Sequence, residues 1–373
     1  MRHLKPRNII HLFAVITIFA FSGFAQTPTA TPPPSADDGE VIKVSSRLVM
    51  VPVSVTDASG QPVLGLTAKD FFIAEENRPQ TVEQVSDAEK VPLEIALLFD
   101  VSASTDAMFQ FEQETAAKFL QEVMRPDDRA TIFTIGERPV LVQARDSAAK
   151  SSVSIENIQP TKQFTAFYDT VRYAADYLQK NSPAGRRRVI VVISDGEDTN
   201  SEGIKNAISA SYGKLGSKID SIDRKSLYQM TVNTRNQASV REQNRVLRSL
   251  QNADVVFYSI NPAGNSFQLN KASQFGQTNL EKFAVETGGT AFLPKFQSIS
   301  LKDNVQNSYN QKRNQEMLTQ IFRQLANELQ AQYLVQYYSE ADYPENRYVN
   351  LKVGLNNPQN YRVRARQGYF VKN

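Results

Sequence analysis

Between residues 94 and 293 the chain repeats one pattern, a short run of strand-forming apolar residues followed by a helical stripe. Strand and helix in alternation restrict this stretch to a doubly wound α/β fold, a mostly parallel sheet with helices on both faces. The apolar runs are 94–99, 131–135, 189–193, 255–260 and 290–293, with 140–142 as a short antiparallel edge. Helical stripes come from Ala116, Phe119, Leu120 and Val123, and from Phe167, Val171, Ala175 and Leu178. Val246, Leu247 and Leu250 give another, a helix over 280–286 ends at Gly288-Gly289, and a long helix is expected over 315–332. Residues 205–241 are polar with little periodicity, and a second polar loop runs to Thr278.

Ligand sites in such folds lie at the carboxyl ends of strands. The run 94–99 reads as a strand buried on both faces and ends in Asp100-Val101-Ser102-Ala103-Ser104, one carboxylate and two hydroxyls at alternate positions. Hard oxygen groups suit Mg²⁺, Mn²⁺ or Ca²⁺. The run 189–193 ends likewise, in Ser194-Asp195-Gly196-Glu197-Asp198, where Glu197 and Asp198 are expected to be solvated, the alternative for Asp198 being a contact behind the ligands of a metal. Taken singly, each residue has a plainer reading. Ser104 or Thr105 can cap the next helix, Thr165 can be an N-cap, and Asp195-Gly196 is an ordinary turn pair.

Composition excludes much other chemistry. There is no cysteine, and the two histidines, His3 and His11, precede the folded region. Disulfides, imidazole bases, Ser-His-Asp and Cys-His catalysis, and zinc sites of imidazole or thiolate are therefore excluded there. Residues 1–25 read as an export signal: basic Arg2, Lys5 and Arg7, an apolar core over 9–21, and the small-residue cleavage site Ser22-Gly23-Phe24-Ala25. Secretion or a periplasmic address follows, with membrane attachment only through an uncleaved signal. No cysteine follows to carry a lipid. Three of the 42 basic residues and none of the 39 acidic ones lie in the signal, so the remainder is balanced. Nothing electrostatic draws it to nucleic acid.

Residues 26–39 (QTPTATPPPSADDG) read as a disordered linker. Alternating strands are expected at 48–55, with Pro52 demanding an edge or a bulge, and at 71–74 and 81–85 about a turn at 76–79. Three more, at 333–338, 348–353 and 361–364, and a last apolar stretch at 368–371 follow the long helix. Neither group suffices alone. The expectation is one discontinuous β domain, 40–90 with 331–373, into which an α/β domain, 91–330, is inserted.

Asp100-x-Ser102-x-Ser104 after a buried strand, Thr165 before a later helix and Asp195 after the next buried strand resemble the metal-ion-dependent adhesion site (MIDAS) of the von Willebrand factor type A domain. The layout of Val55-Thr56-Asp57, Gly65-Leu66-Thr67-Ala68-Lys69-Asp70-Phe71, Glu286-Thr287-Gly288-Gly289 and Gly368-Tyr369-Phe370 is similar to a related family described from acidobacterial proteins. The resemblance implies that Ser102 and Ser104 ligate a divalent cation, usually Mg²⁺. Asp100 and Asp195 act directly or through water, and Thr165 joins or leaves with conformation. A partner protein's carboxylate takes the open position, without catalysis. One departure is that Lys162-Gln163-Phe164 precede Thr165, where similar domains often carry glycines. Two other readings remain at this point, a metal-independent envelope scaffold and an oxygen-ligated metal hydrolase or aspartyl phosphotransferase using Asp100.

Overall fold

The structure is a computed structural model. It describes residues 46–372 except 88–89, 103–105, 162–163, 263–270, 298–303 and 359, and except the side chains of 106–108, 217–218 and 271–272. The signal, the linker and Ser104 lie outside the described residues.

A six-stranded sheet forms the centre, in the order β10-β9-β8-β5-β6-β7. Its strands are β5 (Leu93–Asp100), β6 (Arg129–Ile135), β7 (Val140–Asp146), β8 (Arg187–Ile193), β9 (Val255–Ile260) and β10 (Ala291–Phe292). All pairings are parallel except β6 with β7. Side chains of a strand alternate between faces, and β5 shows it. Ile95, Leu97 and Phe99 join one apolar core with α1 (Asp106–Val123), α2 (Ala148–Glu156) and α7 (Asn304–Gln330). Ala96 and Leu98 join the opposite core, with α3 (Phe167–Asn181), α4 (Glu202–Leu215), α5 (Arg224–Asn252) and α6 (Lys271–Thr287).

Strand order places a topological switch at β5. The chain passes from β5 to β6 on one side, then returns to put β8 on the other. Phe99 pairs with Ile193, so the strand ends carrying Asp100 and Asp195 are neighbours.

The sequence leaves the structure of 205–241 open, and the stretch is helical, comprising most of α4, a 3-10 turn at Gly216–Ser221, and over half of the 29-residue α5. Asp223 caps α5, its carboxylate accepting from the Lys225 and Ser226 amides. Few apolar residues are buried along α5, so its helical signal was faint. Two other helices start early, α6 at Lys271 and α7 at Asn304. Helix α2 was not foreseen. The turn expected over 76–79 is a two-residue hairpin, Glu76 and Asn77 at φ 47° and 64°, with Arg78 and Pro79 already in the next strand.

Two four-stranded antiparallel sheets complete the fold. One runs β13 (Arg362–Ala365), β1 (Arg47–Thr56), β11 (Gln332–Ser339), β4 (Gln84–Ser86). The other runs β14 (Gly368–Phe370), β12 (Tyr348–Leu355), β2 (Phe71–Glu75), β3 (Arg78–Gln80). They share one core, with Val51, Val53, Ile73, Val335, Tyr337 and Val349 fully buried. β1 is an interior strand, yet β13 pairs with it only from Val53 onward, so no ladder bond is asked of Pro52 on that side.

Candidate functional site

Burial at the end of β5 leaves Asp100 few ways to be solvated. Only 6% of the residue is exposed. Its Oδ1 accepts from the Ser102 amide at 2.9 Å and the Ser102 hydroxyl at 2.5 Å, and its Oδ2 accepts from Ser194 Oγ at 2.6 Å. Burial nevertheless raises its pKa, against those bonds, and Glu197 adds repulsion. Asp195, one residue beyond Ser194, is pushed up to about 6 by burial and by Asp100 and Glu197, although the Glu197 amide donates to its Oδ1 at 2.9 Å.

Thr165 is tied to the loop after β8. Its amide donates to Thr199 Oγ1, and its carbonyl accepts from the Thr199 and Asn200 amides, all at 2.9 Å. The N-cap of α3 is Ala166, with no side-chain cap bond, so Thr165 does not cap. Its hydroxyl makes no hydrogen bond with the described residues. Four of the five sequence candidates, Asp100, Ser102, Thr165 and Asp195, thus lie on three loops linked at one end of the sheet. Ser104 lies outside the described residues.

Of the two acids after Asp195, Asp198 is held inside rather than solvated. Asp198 is largely buried and accepts from the Tyr168 amide at 2.9 Å and from the amide and hydroxyl of Ser201. It therefore supplies the cap that Ala166 cannot give α3. Glu197 accepts from Ser273 Oγ.

Two residues escaped sequence reading. Ser194 bridges Asp100 Oδ2 and the Gly196 amide, a role visible only once β5 and β8 are adjacent. Glu112 of α1 is 3% exposed, and burial plus the Asp100 charge push it up to about 8. A glutamate inside an amphipathic stripe was its one signal.

The donor set fits a hard cation. Carboxyls at Asp100, Asp195 and Glu197 repel one another, and among the described residues no Lys or Arg forms an ion pair with them. Among the described residues no group of three or more His, Cys, Asp and Glu is placed to hold a metal. Close packing holds the Asp195 loop. Gly196, at φ +76°, meets Gly276 of α6 so tightly that a Cβ on either would fall 2.5–2.6 Å from the other segment's carbonyl oxygen.

Residues 95–197 match the model of the von Willebrand factor type A domain, a span that ends before the 286–289 and 368–370 motifs. Among curated proteins there is no significant match to the chain. An aerotolerance-related membrane protein from Bacteroides fragilis is similar at 17% identity and TM-score 0.33, covering 61% of this chain and 99% of that one. Proximal thread matrix protein 1 from the mussel byssus, solved with a zinc-occupied MIDAS motif, is 14% identical at TM-score 0.39, over 68% and 50%. The PilB minor pilin from Streptococcus sanguinis is 14% identical at TM-score 0.40, over 64% and 62%. Identities and scores this low carry no functional argument. The α/β layers have the fold of the von Willebrand factor type A domain, whose family model matches residues 95–197 and so takes in Asp100, Thr165 and Asp195 on adjoining loops at the carboxyl end of the sheet.

Proposed function

We propose that the protein is an exported, non-catalytic binding protein that engages a protein partner through a divalent cation, Mg²⁺ in the first instance. Asp100, Ser102, Ser104, Thr165 and Asp195 would hold the ion, and a carboxylate of the partner would complete its coordination. The observation that carries this reading is buried Asp100, which accepts from the Ser102 and Ser194 hydroxyls, with partly buried Asp195 repelling it and no basic partner for either among the described residues. A bound cation relieves that repulsion, and neutral hydroxyl ligands leave it electrophilic enough to value an incoming anion. The family model that matches residues 95–197 is not that of an enzyme, and no imidazole or thiol exists in the region to serve as base or nucleophile. Among the described residues no helix is long and apolar enough to cross a membrane. In keeping with the flanking strands' pairing, we read the β sandwich as a discontinuous domain, 40–90 with 331–373, that supports the inserted 91–330.

Calorimetric titration of Mg²⁺, Mn²⁺ and Ca²⁺ into wild type, Ser102→Ala and Asp195→Ala tests the metal. Wild type should bind at least one of them and both variants should bind about tenfold more weakly or worse. Equal binding by all three proteins sinks the reading. Capture of a partner from envelope extract, abolished by chelator, tests the rest.

A further inference from the structure

Helices α4 and α5 come from the stretch with the least sequence signal, and α5 builds a second concavity beside the Asp195 loop. Tyr228, Val232, Arg235 and Ser239 recur at spacings of four, three and four, which places them on one helical face. With Tyr168 of α3 and Phe275 of α6 that face encloses a cavity of ≈ 410 Å³. Pockets for small ligands and single side chains have this size and this mixture of apolar wall and few polar groups.

Charge and hydrogen bonding restrict the occupant. Two charged residues line the cavity, Asp198 and Arg235. Asp198 is spent on the Tyr168 amide and on Ser201. Arg235 is partly buried and makes no ion pair or hydrogen bond with the described residues. The Asn279 amide is spent too. Its Oδ1 accepts from Tyr168 Oη and Gln243 Nε2, both at 3.0 Å, and its Nδ2 donates to the Gly196 carbonyl at 3.1 Å. What stays open is one guanidinium, the Tyr228 and Phe275 rings, and the exposed Asn236 amide. Tyr228 is 70% exposed on an otherwise polar helix. An ammonium group would find no unspent carboxylate here, which excludes a free amino acid.

We propose that this cavity binds the aromatic C-terminal residue of a polypeptide. Its α-carboxylate pairs with Arg235, its ring packs against Tyr228 and Phe275, and its peptide N–H reaches the Asn236 side chain. The site needs no cation. It shares a wall with the metal site, because Thr199 lines the cavity and also accepts from the Thr165 amide.

The chain contains no tryptophan, so a tryptophan-based probe reports binding through its own fluorescence anisotropy. N-acetyltryptophan, its carboxamide and indole-3-propionate are titrated into the full chain with chelator present, which separates this site from the metal reading. The expected result is binding of N-acetyltryptophan about tenfold tighter than of the carboxamide, the worth of one charge-assisted pair. In Arg235→Gln that difference should vanish, and Tyr228→Ala should weaken both ligands while circular dichroism shows the helices intact. Equal affinity for acid and amide, an unchanged preference in Arg235→Gln, or no binding overturns the proposal. Indole-3-propionate binding as tightly as N-acetyltryptophan overturns the polypeptide assignment.

Discussion

The acids at the carboxyl end of β5 and β8 hold their charge at a cost, and that cost sets the pH behaviour. Asp195 lies near 6 against an ordinary 3.8, and Glu112 near 8 against 4.5, both chiefly because they are buried. A raised acid keeps its proton in the folded chain at a pH where the unfolded chain has lost it. Stability therefore falls with rising pH, from 3.8 to about 6 for Asp195 and from 4.5 to about 8 for Glu112. In cation-free buffer Glu112→Gln should stabilise the protein at pH 8 by on the order of 2 kcal/mol and give no gain near pH 4.5, read by thermal unfolding at the two pH values. Cation affinity should show the opposite slope. In the proposed site the ion needs Asp195 ionised, so calorimetry at pH 5 should find binding about tenfold weaker than at pH 7.5.

Loops that carry the site are held by the elements behind them. The loop 198–201 caps α3 through Asp198 and Ser201, and Asp169 of α3 returns a bond to the Glu202 amide at 2.7 Å, the first residue of α4. On the other side Gly276 of α6 lies against Asp195 and Glu197. A Cβ there would stand 2.6 Å from the Asp195 carbonyl oxygen and 2.8 Å from the Glu197 nitrogen. Gly276→Ala should cost about 2 kcal/mol in denaturant unfolding and displace the Asp195 loop, lowering cation affinity although no ligand is changed. Unaltered affinity in a folded Gly276→Ala protein would show that the loop's position does not matter to the ion.

At the scale of the whole molecule, the two sheets of the sandwich draw strands from both chain ends, and buried polar bonds tie them to the α/β layers. Glu328 of α7, 1% exposed, accepts from Thr290 Oγ1 before β10 at 2.6 Å and from Arg364 Nη1 of β13 at 3.0 Å. Arg366 donates to Asp254 Oδ1 before β9 at 2.8 Å. Removing the Glu328 carboxylate leaves the partly buried Arg364 unpaired. Glu328→Ala should lower unfolding stability by about 3 kcal/mol. If the ties make one cooperative unit, near- and far-ultraviolet signals will still melt together; separate transitions would show that sandwich and α/β layers unfold independently.

Sequence alone determined the elements written as an unbroken apolar run, β5, β6, β8 and β9, or as an apolar stripe, as in α3, and the carboxylates and hydroxyls at two strand ends. Apolar runs and stripes are local properties, so they survive in the primary structure. They failed where helices are exposed and polar, in α4, most of α5 and the starts of α6 and α7, because a solvated helix buries too little to leave a stripe. Tertiary structure decided which strand ends meet. Asp100 and Ser194 are 94 residues apart in the chain, and only the return of the chain across β5 brings Ser194 Oγ to 2.6 Å from Asp100. The same return buries both acids and raises them, an effect of low dielectric and mutual charge that no local pattern of residues encodes.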